Sequence, residues 1–203
     1  MSILFYNFGK RMKTLETLQQ HLKQGGLYRR ADVAEWSKSP DRHLATLVHD
    51  GTLEKLSQGL YYYPKRSTFG KAPPEESELV RSFLKDDRFL ITSPNAYNSL
   101  GVGTTQLYNQ RVVYNHKRHG DFTLGKQRFS FRVKPHFPRQ LTEEFLLVDL
   151  VSHADAIAED KERVLERVKS KVATMDQKKL VRAVKQYGGL KAKKFFHPLL
   201  EKP

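Results

Sequence analysis

The sequence predicts an α+β fold, and three observations lead to this prediction. A helical pattern is followed at once by a hairpin signal between residues 39 and 65, a pattern typical of strands occupies residues 111–134, and helical spacing of apolar residues continues from residue 143. A chain of 203 residues is long enough for two domains that each bury a core. We therefore expect an N-terminal domain of helices and a hairpin, followed by a C-terminal α/β domain with a small antiparallel sheet and a helical second half.

A short helix is predicted to begin after Ser39. Ser39 is a good N-cap residue, and Pro40 suits the first helical position because its fixed φ is already helical. Leu44, Leu47 and Val48 follow at helical spacing and share one face. This face is expected to pack on a core.

The opposite face of this helix carries Arg42, Ala45, Thr46 and His49, which are small or hydrogen-bonding side chains of the kind that read base edges in a major groove. The next two apolar runs are separated by Gln58-Gly59, a pair that favours a hairpin turn. Lysine and arginine side chains on this hairpin are expected to lie near phosphates. The candidate DNA-contacting residues are Ser39, Arg42, Thr46, His49, Lys55, Gln58, Lys65 and Arg66.

Two further helical patterns precede this helix, at residues 14–24 and 30–36. The order helix, helix, turn, helix, hairpin is that of a winged helix-turn-helix DNA-binding domain, although any small α+β module with three helices shares it. The expected organisation is a flexible extension at 1–11, a DNA-binding domain at 12–66, a linker at 67–74 and a second domain at 75–203. Met12 is an alternative start to Met1.

The second domain is expected to contain three consecutive strands at 111–115, 121–124 and 128–134. The last of these alternates cleanly, with Phe129, Phe131 and Val133 on a core face. Arg128, Arg132 and Lys134 lie on the other face. Helices are predicted at 75–85, 93–100, 143–158, 161–173, 176–187 and 190–200.

The chain is strongly basic. Its 36 Lys and Arg residues against 22 Asp and Glu residues give a net charge of +14, which favours a polyanionic partner such as nucleic acid or an anionic membrane surface. No run of apolar residues is long enough to span a membrane and the N-terminus does not resemble a signal peptide, so a cytoplasmic protein is expected. The absence of cysteine excludes disulfides and thiolate chemistry.

Several other residue groups have side chains typical of sites. The basic sheet face, together with Lys191, Lys193 and Lys194, forms a secondary basic surface that is solvated, extends a phosphate footprint or meets an acidic partner. His116 and His119 lack a third metal ligand in register, and the segment Ser152-His153-Ala154-Asp155 lies on a helix, where neighbouring residues point in different directions. We therefore expect no metal, no cofactor and no catalytic site. An enzyme that holds nucleic acid on these basic surfaces is the rival interpretation.

Three stretches of the chain resemble the AbiEi-like antitoxins of bacterial type IV toxin–antitoxin (abortive infection) systems. They are LVHDGTLEKLSQGLYYYP at 47–64, SLGVGTTQ at 99–106 leading into RVVY, and VKQYGGLKAKKFFHPLL at 184–200. The first is the most specific of the three. The second departs from the family's tighter form by an extra glycine.

This resemblance implies a winged helix that represses its own operon by binding inverted repeats in double-stranded DNA at the promoter. It implies a C-terminal domain that neutralises a nucleotidyltransferase-like toxin, a role that need not involve a stable complex. A monomer or weak dimer is expected. A stand-alone transcriptional regulator, whose second domain dimerises or senses a ligand, is the alternative.

Overall fold

A computed structural model describes residues 15–68, 70–102, 107–156 and 160–200. The predicted N-terminal extension at 1–11 and most of the predicted loop at 102–106 lie outside these residues. The structure confirms the α+β class. It divides into two units, one formed by Met1–Asp87 with Thr123–Gln127 and the other by Arg88–Phe122 with Arg128–Pro203.

Unit 1 begins with the predicted series of three helices, and a short strand separates the first two. Helix α1 covers residues 15–21. The elements that follow are β1 (Leu27–Arg29), α2 (Arg30–Trp36), α3 (Pro40–His49), β2 (Glu54–Ser57) and β3 (Leu60–Tyr62). Strand β3 lies in the middle of the sheet and pairs antiparallel with both β1 and β2.

The core of unit 1 lies between this small sheet and the three helices. One cluster of buried residues in this core comes from the helices, from β1 and from the segment after α3. Its members are Leu18, Leu22, Tyr28, Val33, Leu44, Leu47 and Leu53. Because the apolar residues of α1 and α3 recur at helical spacing, the same pattern that predicts these helices also selects the face that each one buries.

A hairpin occupies the segment predicted as a linker. Strands β4 (Lys65–Ser67) and β5 (Gly70–Ala72) pair antiparallel. The Tyr62 hydroxyl donates a hydrogen bond to the Ala72 carbonyl at 3.0 Å. Strands of three residues are too short for alternation to reveal, and the Pro, Gly and Ser that indicate a linker are also the residues of tight turns.

Helix α4 (Glu76–Leu84) groups with unit 1, whereas we predicted that the second domain begins at residue 75. Glu75 is the N-cap of this helix, and its carboxylate accepts hydrogen bonds from the backbone amides of Ser77 and Glu78 at 3.1 and 2.8 Å. Arg29 of β1 donates to the Ser82 carbonyl at 2.9 Å. This long-range contact is invisible to local sequence patterns.

Unit 2 contains a four-stranded sheet that is mixed, not antiparallel as predicted. Its strands are β6 (Phe89–Thr92), β7 (Arg111–Asn115), β8 (Gly120–Leu124) and β9 (Gln127–Val133), and a 3₁₀ helix covers Pro94–Leu100. In the order β6-β7-β9-β8, strand β9 lies between β7 and β8 and runs parallel to β7. The sequence marks where each strand lies, but strand spacing carries no information about which strands pair or in which direction they run.

The helical half of unit 2 follows the predicted pattern. Its helices are α5 (Glu143–His153), α6 (Lys161–Val172), α7 (Gln177–Tyr187) and α8 (Leu190–Leu200), and a 3₁₀ turn at Ala154–Ala156 follows α5. The seven residues from Phe145 to Val151 are all buried, so α5 is the central helix of this unit. None of the helices in the described part of the chain is long and apolar enough to cross a membrane.

The alternation predicted for β9 fails at its C-terminal end. Val133, expected in the core, is 48% exposed, whereas Ser130 is buried. Lys134, expected on an exposed basic face, has a side chain only 20% exposed. Its Nζ lies 2.6 Å from the Asp149 carboxylate and 4.1 Å from the centre of the Tyr114 ring. Lys134 is therefore part of a buried polar cluster in unit 2.

Asp149 is the centre of this cluster and is 1% exposed. One carboxylate oxygen accepts hydrogen bonds from the hydroxyls of Tyr97 at 2.8 Å and Tyr114 at 2.6 Å. The other accepts from Lys134. Burial, reinforced by the charge of Asp149, raises the pKa of both tyrosines, so their hydroxyls remain protonated donors. The cluster satisfies a charge that would otherwise be costly to bury.

We expect Asp149→Asn to destabilise the protein by about 3–5 kcal/mol, because it removes the charge that compensates the largely buried Lys134. Urea denaturation gives the free energy of unfolding. The exposed α6 variant Glu162→Gln is the control and should change this free energy by less than about 0.5 kcal/mol. Similar values for the two variants would show that the Asp149 cluster contributes nothing to folding.

A second cluster, which is exposed, connects the 3₁₀ turn at Ala154–Ala156 to the starts of α6 and α8. Asp155, in the 3₁₀ turn, lies 2.6 Å from Nζ of Lys161 on α6 and 2.5 Å from Nζ of Lys191 on α8. Hydrogen bonds from the two lysines lower the pKa of Asp155 to about 2. The folded-state pKa lies below the usual aspartate value, so this contribution to stability is complete above about pH 4. It is lost as the pH falls toward 2.

Asp155→Asn should therefore lower the stability of the folded protein at pH 7 and make that stability less dependent on pH. The wild-type chain should lose more stability than the variant between pH 5 and pH 2.5, because only the wild type must protonate this carboxylate. Thermal unfolding of both proteins, monitored by circular dichroism at a series of pH values, measures this difference in stability. Parallel curves for the two proteins would contradict the assigned role of the lysine pair.

Candidate nucleic-acid interface

Helix α3 begins at Pro40, as predicted, but Ser39 acts differently from the prediction. Ser39 occupies the N-cap position, yet its side chain makes no capping hydrogen bond to the described amides of the helix. Its backbone amide instead donates to Oγ of Ser37 at 3.1 Å. The half-buried Ser39 therefore serves the turn between α2 and α3 through its backbone.

The face of α3 predicted to read bases is exposed. Leu44 and Leu47 are buried on one side, whereas Arg42, Thr46 and His49 are exposed on the other. Among the described residues, none forms an ion pair or a side-chain hydrogen bond with the guanidinium of Arg42, so its donors are available there to a ligand. This division of the helix follows from its apolar spacing alone.

Thr46 has a more restricted hydrogen-bonding capacity than its residue type implies. Its hydroxyl donates to the backbone carbonyl of Arg42 at 3.0 Å, one turn earlier in α3. The hydroxyl proton of Thr46 is therefore already donated within the helix, whereas the oxygen lone pairs and the methyl group remain available to a ligand. Thr46 is suited to accept a hydrogen bond or to contact a thymine methyl group.

The β2–β3 hairpin presents two of the predicted contact residues. Lys55 is exposed on β2 opposite Tyr61 and has no acidic partner among the described residues. Gln58 is exposed in the turn, where Gly59 adopts a φ of +72° that other residues rarely tolerate. The ladder between β2 and β3 is irregular between Lys55 and Ser57.

Lys65 and Arg66 do not lie on this hairpin, contrary to the prediction. Both are exposed on β4, the first strand of the following hairpin. The stem of Lys65 packs on Gly25, where a Cβ would overlap it. Arg66 lines a polar cleft of about 310 Å³ beside Gly51, at the C-terminal end of α3. Pro64 lies between the end of β3 and the start of β4. A proline there indicates a chain break but does not show whether the residues after it belong to the first hairpin or to a second one.

Two basic residues of unit 1 that sequence reasoning missed position these elements. Arg30 at the start of α2 donates two hydrogen bonds, both 2.6 Å long, to the carboxylate of Asp41 in the first turn of α3. This contact raises the pKa of Arg30 and lowers that of Asp41. The backbone amide of Arg30 also donates to the carbonyl of Gly59 at 3.0 Å, which connects α2 to the β2–β3 turn.

Lys71 on β5 is the second of these residues. Its Nζ lies 3.3 Å from the Gly51 carbonyl and 3.2 Å from the Glu54 carboxylate. These contacts hold the β4–β5 hairpin against the segment that joins α3 to β2. The ammonium group of Lys71 is therefore bound within unit 1 and is not an unpaired cation.

The secondary basic surface predicted in unit 2 separates into paired and unpaired residues. Lys134 and Lys191 each contact a carboxylate, as described above, and Arg132 lies 3.8 Å from Asp121. Arg128, Lys193 and Lys194 are exposed and form no ion pair within the described part of the chain. The six residues therefore do not act as one surface.

The residues weighed as catalytic or metal sites have other partners. The ring of His116 packs on Phe137 with a centroid distance of 4.7 Å, and Nε2 of His119 lies 3.4 Å from Arg132. Ser152 donates to the Val148 carbonyl and Nδ1 of His153 lies 2.9 Å from the Asp149 carbonyl. Within the described ranges, no group of three His, Asp or Glu residues is arranged to hold a metal ion.

Comparison with known proteins identifies a family but no activity. A family described as a family of unknown function, DUF6088, matches residues 13–184. No protein with a curated description matches the chain. A similar fold occurs in the RV2827C protein from Mycobacterium tuberculosis, with a TM-score of 0.56 and 15% identity over 93% of this chain and 74% of that one. At this identity the likeness concerns the fold alone.

Proposed function

We propose that this chain, which belongs to the family of unknown function DUF6088, binds double-stranded DNA through α3 and the β2–β3 hairpin. The observation that carries the proposal is the exposed side of α3. Arg42, Thr46 and His49 face solvent there, opposite the side on which Leu44 and Leu47 are buried. Two short elements with free polar and basic side chains, in a chain of net charge +14, fit a groove of polyanionic DNA.

The proposal interprets unit 1 as a winged helix-turn-helix domain. Helices α2 and α3 are joined by a short turn, and β2 and β3 follow α3 directly as the wing. In this arrangement α3 enters the major groove and the wing lies along the backbone. The acidic Asp41 in the first turn of α3 is engaged by Arg30, which reduces its repulsion of phosphates.

Each exposed residue has a proposed role. Arg42 has both donors of its guanidinium fork available for a guanine edge, and His49 is the second base-reading residue. Thr46 accepts a hydrogen bond or contacts a thymine methyl group. Lys55, at the wing, binds phosphate and contributes to affinity without sequence preference.

Arg42→Ala is expected to lose about 1–3 kcal/mol of binding to the DNA upstream of its own gene while binding to a scrambled duplex changes little. Lys55→Ala should weaken binding to both duplexes by a similar factor and reduce the salt dependence of binding, because it removes a phosphate contact. Fluorescence anisotropy with the two duplexes at near-physiological salt measures both effects. Arg163→Ala, an exposed arginine on α6, is the matched control.

Two results would count against this assignment. Equal losses on both duplexes for Arg42→Ala would remove Arg42 from base reading. Equal and steeply salt-dependent binding of the wild-type chain to both duplexes would mean that the positive charge alone attracts DNA.

We further propose that the chain is a cytoplasmic, non-enzymatic antitoxin that represses its own operon. This part rests on the resemblance of residues 47–64, 99–106 and 184–200 to the AbiEi-like antitoxins. Under this proposal unit 1 binds repeats at the promoter. Unit 2 neutralises a nucleotidyltransferase-like toxin encoded beside it, with or without a stable complex.

The two activities should separate by mutation, because the candidate DNA contacts all belong to unit 1. The full-length double variant Arg42→Ala, His49→Ala should lose repression of a promoter reporter yet still restore growth of cells that express the adjacent toxin. Reporter fluorescence and growth rate measure the two effects in the same strain. If the wild-type chain fails to restore growth, the antitoxin role is excluded and a stand-alone DNA-binding regulator becomes the interpretation.

A further inference from the structure

Unit 2 contains an open groove between α7 and α8 with a volume of about 470 Å³. Val181, Val184 and Leu200 supply its apolar lining, and Val181 is 45% exposed. Lys185, Lys193 and His197, all exposed, supply the polar part. Val181 is exposed, Leu200 is half-buried and Val184 is buried, so the groove presents an exposed apolar side chain beside basic ones, a combination found at protein interaction sites.

The charged side chains that line this groove in the described part of the chain are basic. Between Gln177 and Leu200 the sequence contains seven Lys and Arg residues and no Asp or Glu. Lys185 and Lys193 form no ion pair within the described ranges of the chain. Both lysines lie beside an apolar surface, so a partner that is both apolar and acidic would match the groove.

We propose that this groove binds an acidic amphipathic helix of a partner protein. The apolar side of such a helix would cover Val181, Val184 and Leu200, and its carboxylates would pair with Lys185 and Lys193. Nucleic acid fits less well, because three of the six described lining residues are aliphatic and the imidazole of His197 is the one ring among them on which a base could stack. A second copy of this chain fits less well because α7 and α8 are basic and the two copies would repel each other.

The groove belongs to unit 2 and its occupancy does not depend on DNA binding by unit 1. It deepens the antitoxin proposal, under which the toxin is the protein that supplies the helix. The two proposals fail separately, since loss of peptide binding leaves operator binding intact. Loss of operator binding likewise leaves the groove available.

The test uses the full-length chain and a fluorescein-labelled synthetic helix of about five turns, with leucines along one side and glutamates elsewhere. Fluorescence anisotropy gives its dissociation constant. Val181→Glu and Lys185→Glu should each weaken binding by about tenfold or more. Val133→Glu, at a valine of similar exposure, and Lys179→Glu, at an exposed lysine of the same helix, are matched controls and should leave binding unchanged.

Four outcomes would overturn the proposal. The first is equal binding of a peptide with lysines in place of the glutamates, and the second is equal weakening by the control variants. The third is sedimentation of the wild-type chain as a dimer that Val181→Glu dissociates, which would make a second copy the occupant. The last is binding only after deletion of residues 1–14, which would assign the groove to the chain's own N-terminal segment.

Discussion

Burial of Leu44 and Leu47 against the core of unit 1 determines how α3 is oriented, and the proposed DNA contacts depend on that orientation. With these leucines fully enclosed, the opposite side of the helix must face solvent. Arg30 then connects the start of α2 both to Asp41 on α3 and to the turn of the β2–β3 hairpin. A change in the packing of the two leucines would therefore displace Arg42 and His49 as well.

Unit 2 is organised around a buried charge. Asp149 lies on the central helix α5 and receives hydrogen bonds from the 3₁₀ helix, from β7 and from the end of β9 through Tyr97, Tyr114 and Lys134. A buried carboxylate is stable only with such partners, so the cluster links the sheet of this unit to its helical half. Tyr97 also packs in the same apolar core as α5, α6, α7 and α8.

The basic residues of the chain differ in availability, and this difference matters more than their number. Lys134, Lys191 and Lys71 contact carboxylates or carbonyls within the fold, whereas Lys55, Lys185 and Lys193 form no ion pair among the described residues. Charges already paired within the protein contribute little to long-range attraction. Lys55 lies at the proposed DNA interface, and Lys185 and Lys193 line the groove between α7 and α8, so each proposal predicts its own salt dependence.

Local patterns in the sequence determined the α+β class, the extents of α2, α3, α6, α7 and α8, and the exposed face that carries Arg42, Thr46 and His49, whereas α5 ends at His153, earlier than the predicted residue 158. These features follow from the spacing of apolar residues and from turn residues within a few positions of one another. Tertiary structure alone decided the parallel pairing of β7 with β9, the β4–β5 hairpin that carries Lys65 and Arg66, and the burial of Lys134 against Asp149. These features depend on contacts between residues distant in the chain, whose partners leave no periodic signal in the sequence.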